Sequence, residues 1–219
     1  TPLTTFWTLP KVAIRAADPP RRFLYGFCMV SGFPLDRGQD PHILCPDPDE
    51  GPPMLTPATP ETLADLRAAM PAATFKDDTA PYLTEPRGRW QGAGIVVAPA
   101  ATQEVAQIVS YCNERHIAVV PYGGGTGLVG GQLMGDGPAP LVLSLERMNR
   151  IRDIYPRENV LVAEAGVILA EIQTAAADIG RLFPLSLASE GSARIGGLLA
   201  TNAGGVNVLR YGNARAQCL

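Results

Sequence analysis

The sequence of 219 residues contains no C-x-x-C pair, only two histidines and no apolar run long enough to span a bilayer. Its four cysteines, Cys28, Cys45, Cys112 and Cys218, lack metal-ligand spacing, so they read as reduced, structural or incidental thiols. An excess of basic charge is missing too. Eighteen Lys and Arg against 21 Asp and Glu give a formal charge of -3, and the arginines are scattered, which excludes the basic field that a nucleic-acid backbone requires. Between residues 58 and 219 no Ser-His-Asp set, paired carboxylates or metal cluster can be assembled. What remains is an apolar content of 46%, enough for a packed core, and 23 glycines.

Residues 1–57 hold eleven of the 21 prolines and no sustained periodicity. They read as an unpatterned leader, foreign to the native coding sequence, with Met54 as the expected start. Arg21-Arg22-Phe23-Leu24 resembles a twin-arginine export signal, but the apolar stretch after it is short and broken by glycine. His42 lies in the same stretch and is assigned no role.

From residue 58 the pattern is regular and continuous to Leu219. Thr59 caps a short helix carrying Leu63, Leu66 and Met70 on one face. Residues 94–98 predict a buried strand, Thr102 a cap, and Val105, Ile108, Val109 and Cys112 the stripe of a helix leading to a strand over 117–121. This is a βαβ unit, whose parallel strands present ligands at their carboxyl ends. His116, at the end of that helix, reads as a polar terminus residue. Strands over 141–145, 150–155 and 159–165 suggest a second, more antiparallel layer. A helix over 167–179 with Ile168, Ile172, Ala175 and Ile179 inward is closed by Gly180. A short helix over 193–201 ends in a tight turn at Ala203-Gly204-Gly205. The expected class is α+β.

Two glycine-rich segments carry the functional signal: Pro121-Tyr122-Gly123-Gly124-Gly125-Thr126-Gly127-Leu128-Val129-Gly130-Gly131 and Ile195-Gly196-Gly197-Leu198-Leu199-Ala200-Thr201-Asn202-Ala203-Gly204-Gly205. Backbone without Cβ lets N–H groups approach a ligand closely, so the pair could hold one extended, phosphate-bearing molecule from two sides. Gly125 to Gly130 satisfies G-x-G-x-x-G with Glu146 about twenty residues on, as a dinucleotide fingerprint requires. A Rossmann turn must open into a helix, however, and Gly131, Gly135, Gly137, Pro138 and Pro140 forbid one. No lysine follows the glycines to hold a transferable phosphate, which argues against a kinase or Walker loop. Gly196, Gly197 and Ala200 leave one side of the short helix bare, with Thr201 and Asn202 as polar tips, a surface suited to an aromatic heterocycle.

At these residues the chain resembles the FAD-binding domain of the vanillyl-alcohol oxidase, or p-cresol methylhydroxylase (PCMH), superfamily. It is most similar to the D-2-hydroxyacid dehydrogenase branch, which holds glycolate oxidase large subunits, D-lactate dehydrogenases and D-2-hydroxyglutarate dehydrogenases. The resemblance covers about Pro99 to Leu219. It runs through Thr102-Gln103-Glu104-Val105, the first glycine loop, Glu164-Ala165-Gly166, Pro184-Leu185, Gly191-Ser192, the Ile195 to Gly205 run and Arg210-Tyr211-Gly212. It implies a PCMH-type FAD-binding domain of two α/β subdomains, partial over 58–219, with the cap domain that meets the substrate outside this chain.

The resemblance also implies a cofactor site. Pro121, Tyr122, Gly123, Gly124, Gly125, Thr126, Gly127, Leu128, Gly130 and Gly131 would cradle the FAD pyrophosphate, and Ala165 and Gly166 would lie near the adenine half. Gly191, Ser192, Ile195, Gly196, Gly197, Thr201, Asn202, Ala203, Gly204 and Gly205 would line the flavin, with Pro184 and Ala188 counted among the cofactor-binding residues. The first loop holds neither histidine nor cysteine, so FAD is expected to be non-covalent. The family reaction is hydride transfer from a D-2-hydroxy acid to flavin N5, with the electron acceptor open. Arg210 and Tyr211 match a family motif but read equally as packing, and no catalytic residue is assigned. Two other readings stay open: a stand-alone FAD-binding electron-transfer subunit, and a fragment or module without activity. A cytoplasmic protein, peripheral to the inner membrane at most, is expected.

Overall fold

The computed structural model describes Lys11–Ala13 and residues 54–219. The export-like Arg21-Arg22 stretch, Cys28, Cys45 and His42 lie outside the described residues. Six strands build two small sheets: β1 (Lys11–Ala13), β2 (Ile95–Val97), β3 (Val119–Tyr122), β4 (Leu141–Ser144), β5 (Ile151–Tyr155) and β6 (Val160–Ala163). The α-helices are α1 (Ala64–Ala69), α2 (Thr102–Glu114), α3 (Leu169–Asp178), α4 (Ile195–Ala200) and α5 (Val208–Tyr211). The class is α+β, as the residue pattern implies.

The first sheet is wholly parallel, in the order β2-β4-β3. Strand β4 therefore belongs here and not to the antiparallel layer that its place in the sequence suggested. All four of its residues are buried, the signature of a central parallel strand covered on both faces. Pro121 sits in β3, an edge strand, where a missing N–H can be tolerated. Ile108, Cys112, Leu63, Leu66 and Phe75 pack against Val97, Leu141 and Leu143 to form this unit's core.

The second sheet runs β1-β6-β5, with β1 parallel and β5 antiparallel to β6. The sequence reading assigned no element before residue 58, and the short strand β1 lies inside that stretch. Thr56 also makes a parallel bridge to Ile117. Beneath this sheet Leu161 and Ala163 pack with Leu169, Ile172, Ala176, Phe183, Leu185, Ile195 and Leu198. Helix α3 faces inward through Leu169, Ile172 and Ala176, with Ala175 packed against the same core; the expected Ile172 and Ala175 hold, while Leu169 and Ala176 stand in the core in place of Ile168 and Ile179. The cause is at its start: Ile168 is extended and bridges Arg194, so the helical count begins one residue later.

Helix ends explain several local sequence choices. Thr59 Oγ1 accepts the Thr62 N–H at 3.2 Å, but this closes a turn that precedes α1, whose cap position is Leu63 and carries no side-chain cap, in place of the expected Thr59. At α2 the cap position is Ala101, not Thr102, and Glu104 reaches back to accept the Ala100 N–H at 2.8 Å. Helices α2, α3 and α4 all close the same way, with a left-handed residue after the last turn: His116 (φ 54°), Gly180 (φ 68°) and Asn202 (φ 50°). The following N–H groups of Ile117, Arg181 and Ala203 return to Cys112, Ala176 and Leu198. His116 accordingly closes a helix. Among the described residues no helix is long and apolar enough to cross a membrane.

Candidate functional site

The first glycine loop leaves the carboxyl end of β3, the second segment begins with α4, and the two meet directly. A Cβ on Gly123 would lie 3.5 Å from Gly197 Cα, and one on Gly124 would strike the Ser192 carbonyl. The two segments therefore lie backbone against backbone. Deeper in the same junction, the Gly196 N–H donates to the Ala165 carbonyl at 2.8 Å and the Gly166 N–H to the Met148 carbonyl at 2.8 Å. A side chain on Gly166 would strike the Leu145 carbonyl, and one on Gly205 the Ser186 carbonyl. Gly124, Gly166, Gly196 and Gly205 are thus glycines because protein backbone fills the space beside them. Beside Gly131 and Gly191 there is open space.

Along the first loop the backbone donors stand free. Among the described residues, none of the N–H groups from Gly123 to Gly131 donates to another protein group. Such a run needs a partner, water or an anion, and successive amides in a turning backbone suit clustered anionic oxygens. Three side chains brace the loop. The Tyr122 hydroxyl, lying under Gly125 (φ 68°), donates to the Pro81 carbonyl at 3.1 Å. Gln132 Nε2 donates to the Gly127 carbonyl at 2.9 Å, and the Trp90 indole flanks Gly130 (φ 72°) with Cε3 3.6 Å from where a Cβ would stand. Leu128 and Val129 at the tip are exposed.

Below the loop, Glu146 follows β4 and is fully engaged. It accepts from the Tyr82 hydroxyl at 2.7 and 2.8 Å and from Lys76 Nζ at 2.9 Å. Burial opposes its charge, but the hydroxyl and the ammonium prevail and hold its carboxyl below the usual range. The hydrogen bond from Lys76 to Glu146 in turn raises the lysine. The Tyr82 and Tyr122 rings meet edge to face at 5.1 Å. A carboxylate held this way is not free to take a ribose hydroxyl, in keeping with rejection of the Rossmann fingerprint. Seventy residues separate Lys76 from Glu146, and no local pattern could have paired them.

The remaining site residues fall into distinct environments. Ile195 is core, 1% exposed, with its N–H given to the Val167 carbonyl; Pro184 is also buried, its carbonyl accepting from Asn207 Nδ2 at 3.0 Å. Ala188, Gly191, Ser192 and Gly204 are exposed. The Thr201 hydroxyl donates to the Gly197 carbonyl at 3.0 Å, and Asn202 Oδ1 accepts the Arg215 N–H at 3.1 Å, so each polar tip is half engaged by the protein. Ala203 joins α4 to the last turn, its carbonyl accepting the Ala214 N–H. Arg194, not singled out from sequence, donates from Nη1 to the Gly166 carbonyl at 2.6 Å, and its Nε is buried with no partner among the described residues. The Arg210 guanidinium lies 5.1 Å from the centroid of the Tyr211 ring. No group of three or more His, Cys, Asp or Glu among the described residues could hold a metal ion.

Comparison with known proteins places this geometry in context. A family model described as "FAD binding domain" matches residues 93–219. D-2-hydroxyglutarate dehydrogenase of Xanthomonas citri pv. viticola is 40% identical over 157 residues, covering 70% of this chain and 33% of the relative. The mitochondrial D-2-hydroxyglutarate dehydrogenase of Bos taurus is 38% identical over 166 residues, covering 73% and 29%. The chain thus spans about a third of the length of the curated relatives it matches. Among solved structures, alkyldihydroxyacetonephosphate synthase superposes with a TM-score of 0.63 at 22% identity, over 74% of this chain and 32% of that one. A Phl p 4 variant titled a glucose oxidase gives 0.59 at 15%, over 70% and 34%. These two likenesses establish the fold.

Proposed function

The chain belongs to the FAD-binding domain family, and from that premise we propose that it is the cofactor-holding portion of a flavin-dependent oxidoreductase that oxidises a D-2-hydroxy acid. The observation that carries the reading is the first loop: nine consecutive residues, Gly123 to Gly131, whose N–H groups have no acceptor among the described residues, beside a segment kept bare by glycine. The amides of that loop would hold the FAD pyrophosphate, whose two negative charges match a cluster of donors. The Gly191–Gly205 segment would lie along the flavin, and Ala165 and Gly166 would border the adenine half. When bound, FAD supplies the hydride acceptor for oxidation of a carbinol carbon.

This chain's own residues bind and orient. Gly123, Gly197 and Gly124 bring the two segments together, while Tyr122, Trp90 and Gln132 hold the loop's shape without consuming its donors. Neither segment contains a histidine or cysteine, so the cofactor is held without a covalent bond. The substrate class rests on the relatives, two of which are named D-2-hydroxyglutarate dehydrogenase. We place the protein in the cytoplasm, a reading supported by Cys112 and Cys218, both free thiols among the described residues, and tested by cell fractionation. The test of function is anaerobic mixing of the FAD-loaded protein, with the substrate-meeting cap domain included, with D-lactate, glycolate and D-2-hydroxyglutarate. Bleaching of the flavin by one of them is expected, and for the two chiral acids not by the L-enantiomer; no bleaching by any of the three would remove the hydroxy-acid assignment.

A further inference from the structure

Gln132 lies just beyond the glycine run, and its amide group points back into it. Its Nε2 donates to the Gly127 carbonyl at 2.9 Å and stands 3.5 Å from the Gly125 carbonyl. Its Oε1 lies 2.9 Å from where a Cβ on Gly127 would be, so a side chain there would push the amide out of this position. A trans peptide is planar, with its C=O and the next residue's N–H pointing in opposite directions. Turning the Gly125 and Gly127 carbonyls toward Gln132 therefore turns the N–H groups of Thr126 and Leu128 away from it. Those two N–H groups are among the donors without an acceptor among the described residues. A glycine-rich loop has little stiffness of its own, and without a tether these peptide planes could flip and present carbonyl oxygens, which repel an anion.

We propose that Gln132 is a positioning residue for anion binding: by holding two carbonyls of the loop inward it fixes the outward direction of the Thr126 and Leu128 amides that receive the pyrophosphate. The inference rests on the FAD reading above. It assigns a task to a side chain that touches no phosphate itself. Both amide hydrogens of Gln132 are available for this, one to each carbonyl, whereas a carboxylate of the same length has none.

The test uses the full chain with FAD and, separately, inorganic pyrophosphate. Gln132→Met keeps length and removes the donors; Gln132→Glu keeps shape and replaces donors by acceptors. Wild-type protein that binds neither probe would remove the FAD reading itself. Given wild-type binding, Gln132→Met is expected to weaken FAD and pyrophosphate alike by about tenfold, with the thermal midpoint unchanged, and Gln132→Glu to weaken both further. In the wild type, pyrophosphate should shift the 15N–1H resonances of Thr126 and Leu128. FAD affinity within twofold of wild type in a folded Gln132→Met would overturn the inference. So would pyrophosphate that binds without moving those two resonances, a readout that needs no variant to fold.

Discussion

Gly123 and Gly197 face each other so closely that a Cβ on the first would lie 3.5 Å from Cα of the second. The two glycine segments, 74 positions apart at this contact, thereby form one surface. Their glycines serve two purposes that the sequence cannot separate and the structure can. Some admit neighbouring backbone; others leave backbone exposed to a ligand.

That division yields a pair of opposed substitutions. Gly166→Ala places a methyl group against the Leu145 and Met148 carbonyls and should lower stability by about 1–3 kcal/mol or more, as overpacking does. Gly131→Ala meets nothing within 4 Å and should leave the thermal midpoint within error. Its FAD affinity should nonetheless fall, by about tenfold, because the methyl projects from the loop that carries the free amides. Thermal melts and FAD titrations of both variants check this. Gly124 could not serve here, since a side chain at that position strikes Ser192 and disturbs packing and ligand together.

Glu164 supplies the pH dependence. Its side chain is 2% exposed and receives Arg150 Nη2 at 3.1 Å, the Arg150 N–H at 3.0 Å and Arg152 Nη2 at 2.9 Å. Burial works against its charge, but those hydrogen bonds prevail and hold the carboxyl below the usual range. A carboxyl depressed on folding contributes stability that is present above its unfolded pKa, about 4.3, and is lost as the pH falls through the folded value. Glu164→Gln should therefore cost about 1–3 kcal/mol at pH 7 and flatten the acid limb of stability below about pH 4. Denaturant melts from pH 2 to pH 7 would show it; parallel curves for variant and wild type would count against this role.

Cys112 should be chemically silent. Burial pushes its thiol up to about 11, with Arg115 opposing only weakly, and the side chain packs in the core beside Ile108. Thiolate is the reactive form, so iodoacetamide at pH 7.5 should leave Cys112 unmodified until the protein unfolds. Peptide mapping by mass spectrometry before and after urea treatment reads this directly.

Non-covalent attachment of FAD predicts that acid precipitation of the loaded protein releases the flavin to the supernatant. Flavin retained in the pellet would contradict it.

Much of the fold was legible because its local signals were strong. The stripe of Ile108, Val109 and Cys112, the closure at Gly180 and the two glycine runs all carried over to the structure. The place of β4 was not legible, since a short apolar run such as Leu141–Leu145 reads the same in either sheet and only its burial on both faces distinguishes them. The start of α3 was misread, although Ile172 and Ala175 were placed correctly, because Ile168 is as apolar as Leu169, and a bridge to Arg194 decided between them. The loop's supports were hidden for a different reason. Trp90, Tyr82 and Lys76 come from a segment with no periodicity of its own, ordered in part by Glu85, which accepts the Arg87 and Arg89 N–H groups around a turn. Gln132 gave no signal because a lone glutamine has no pattern.

The central claim is that the first glycine loop holds FAD through backbone donors that have no acceptor among the described residues. The most direct measurement is titration of the full chain with FAD, followed by flavin fluorescence and by the 15N–1H resonances of Gly123 to Gly131. Saturable binding at one FAD per chain, with those resonances shifting and inorganic pyrophosphate competing, is the predicted result. A folded chain that binds no FAD, or binds it without moving those amides, would contradict the account.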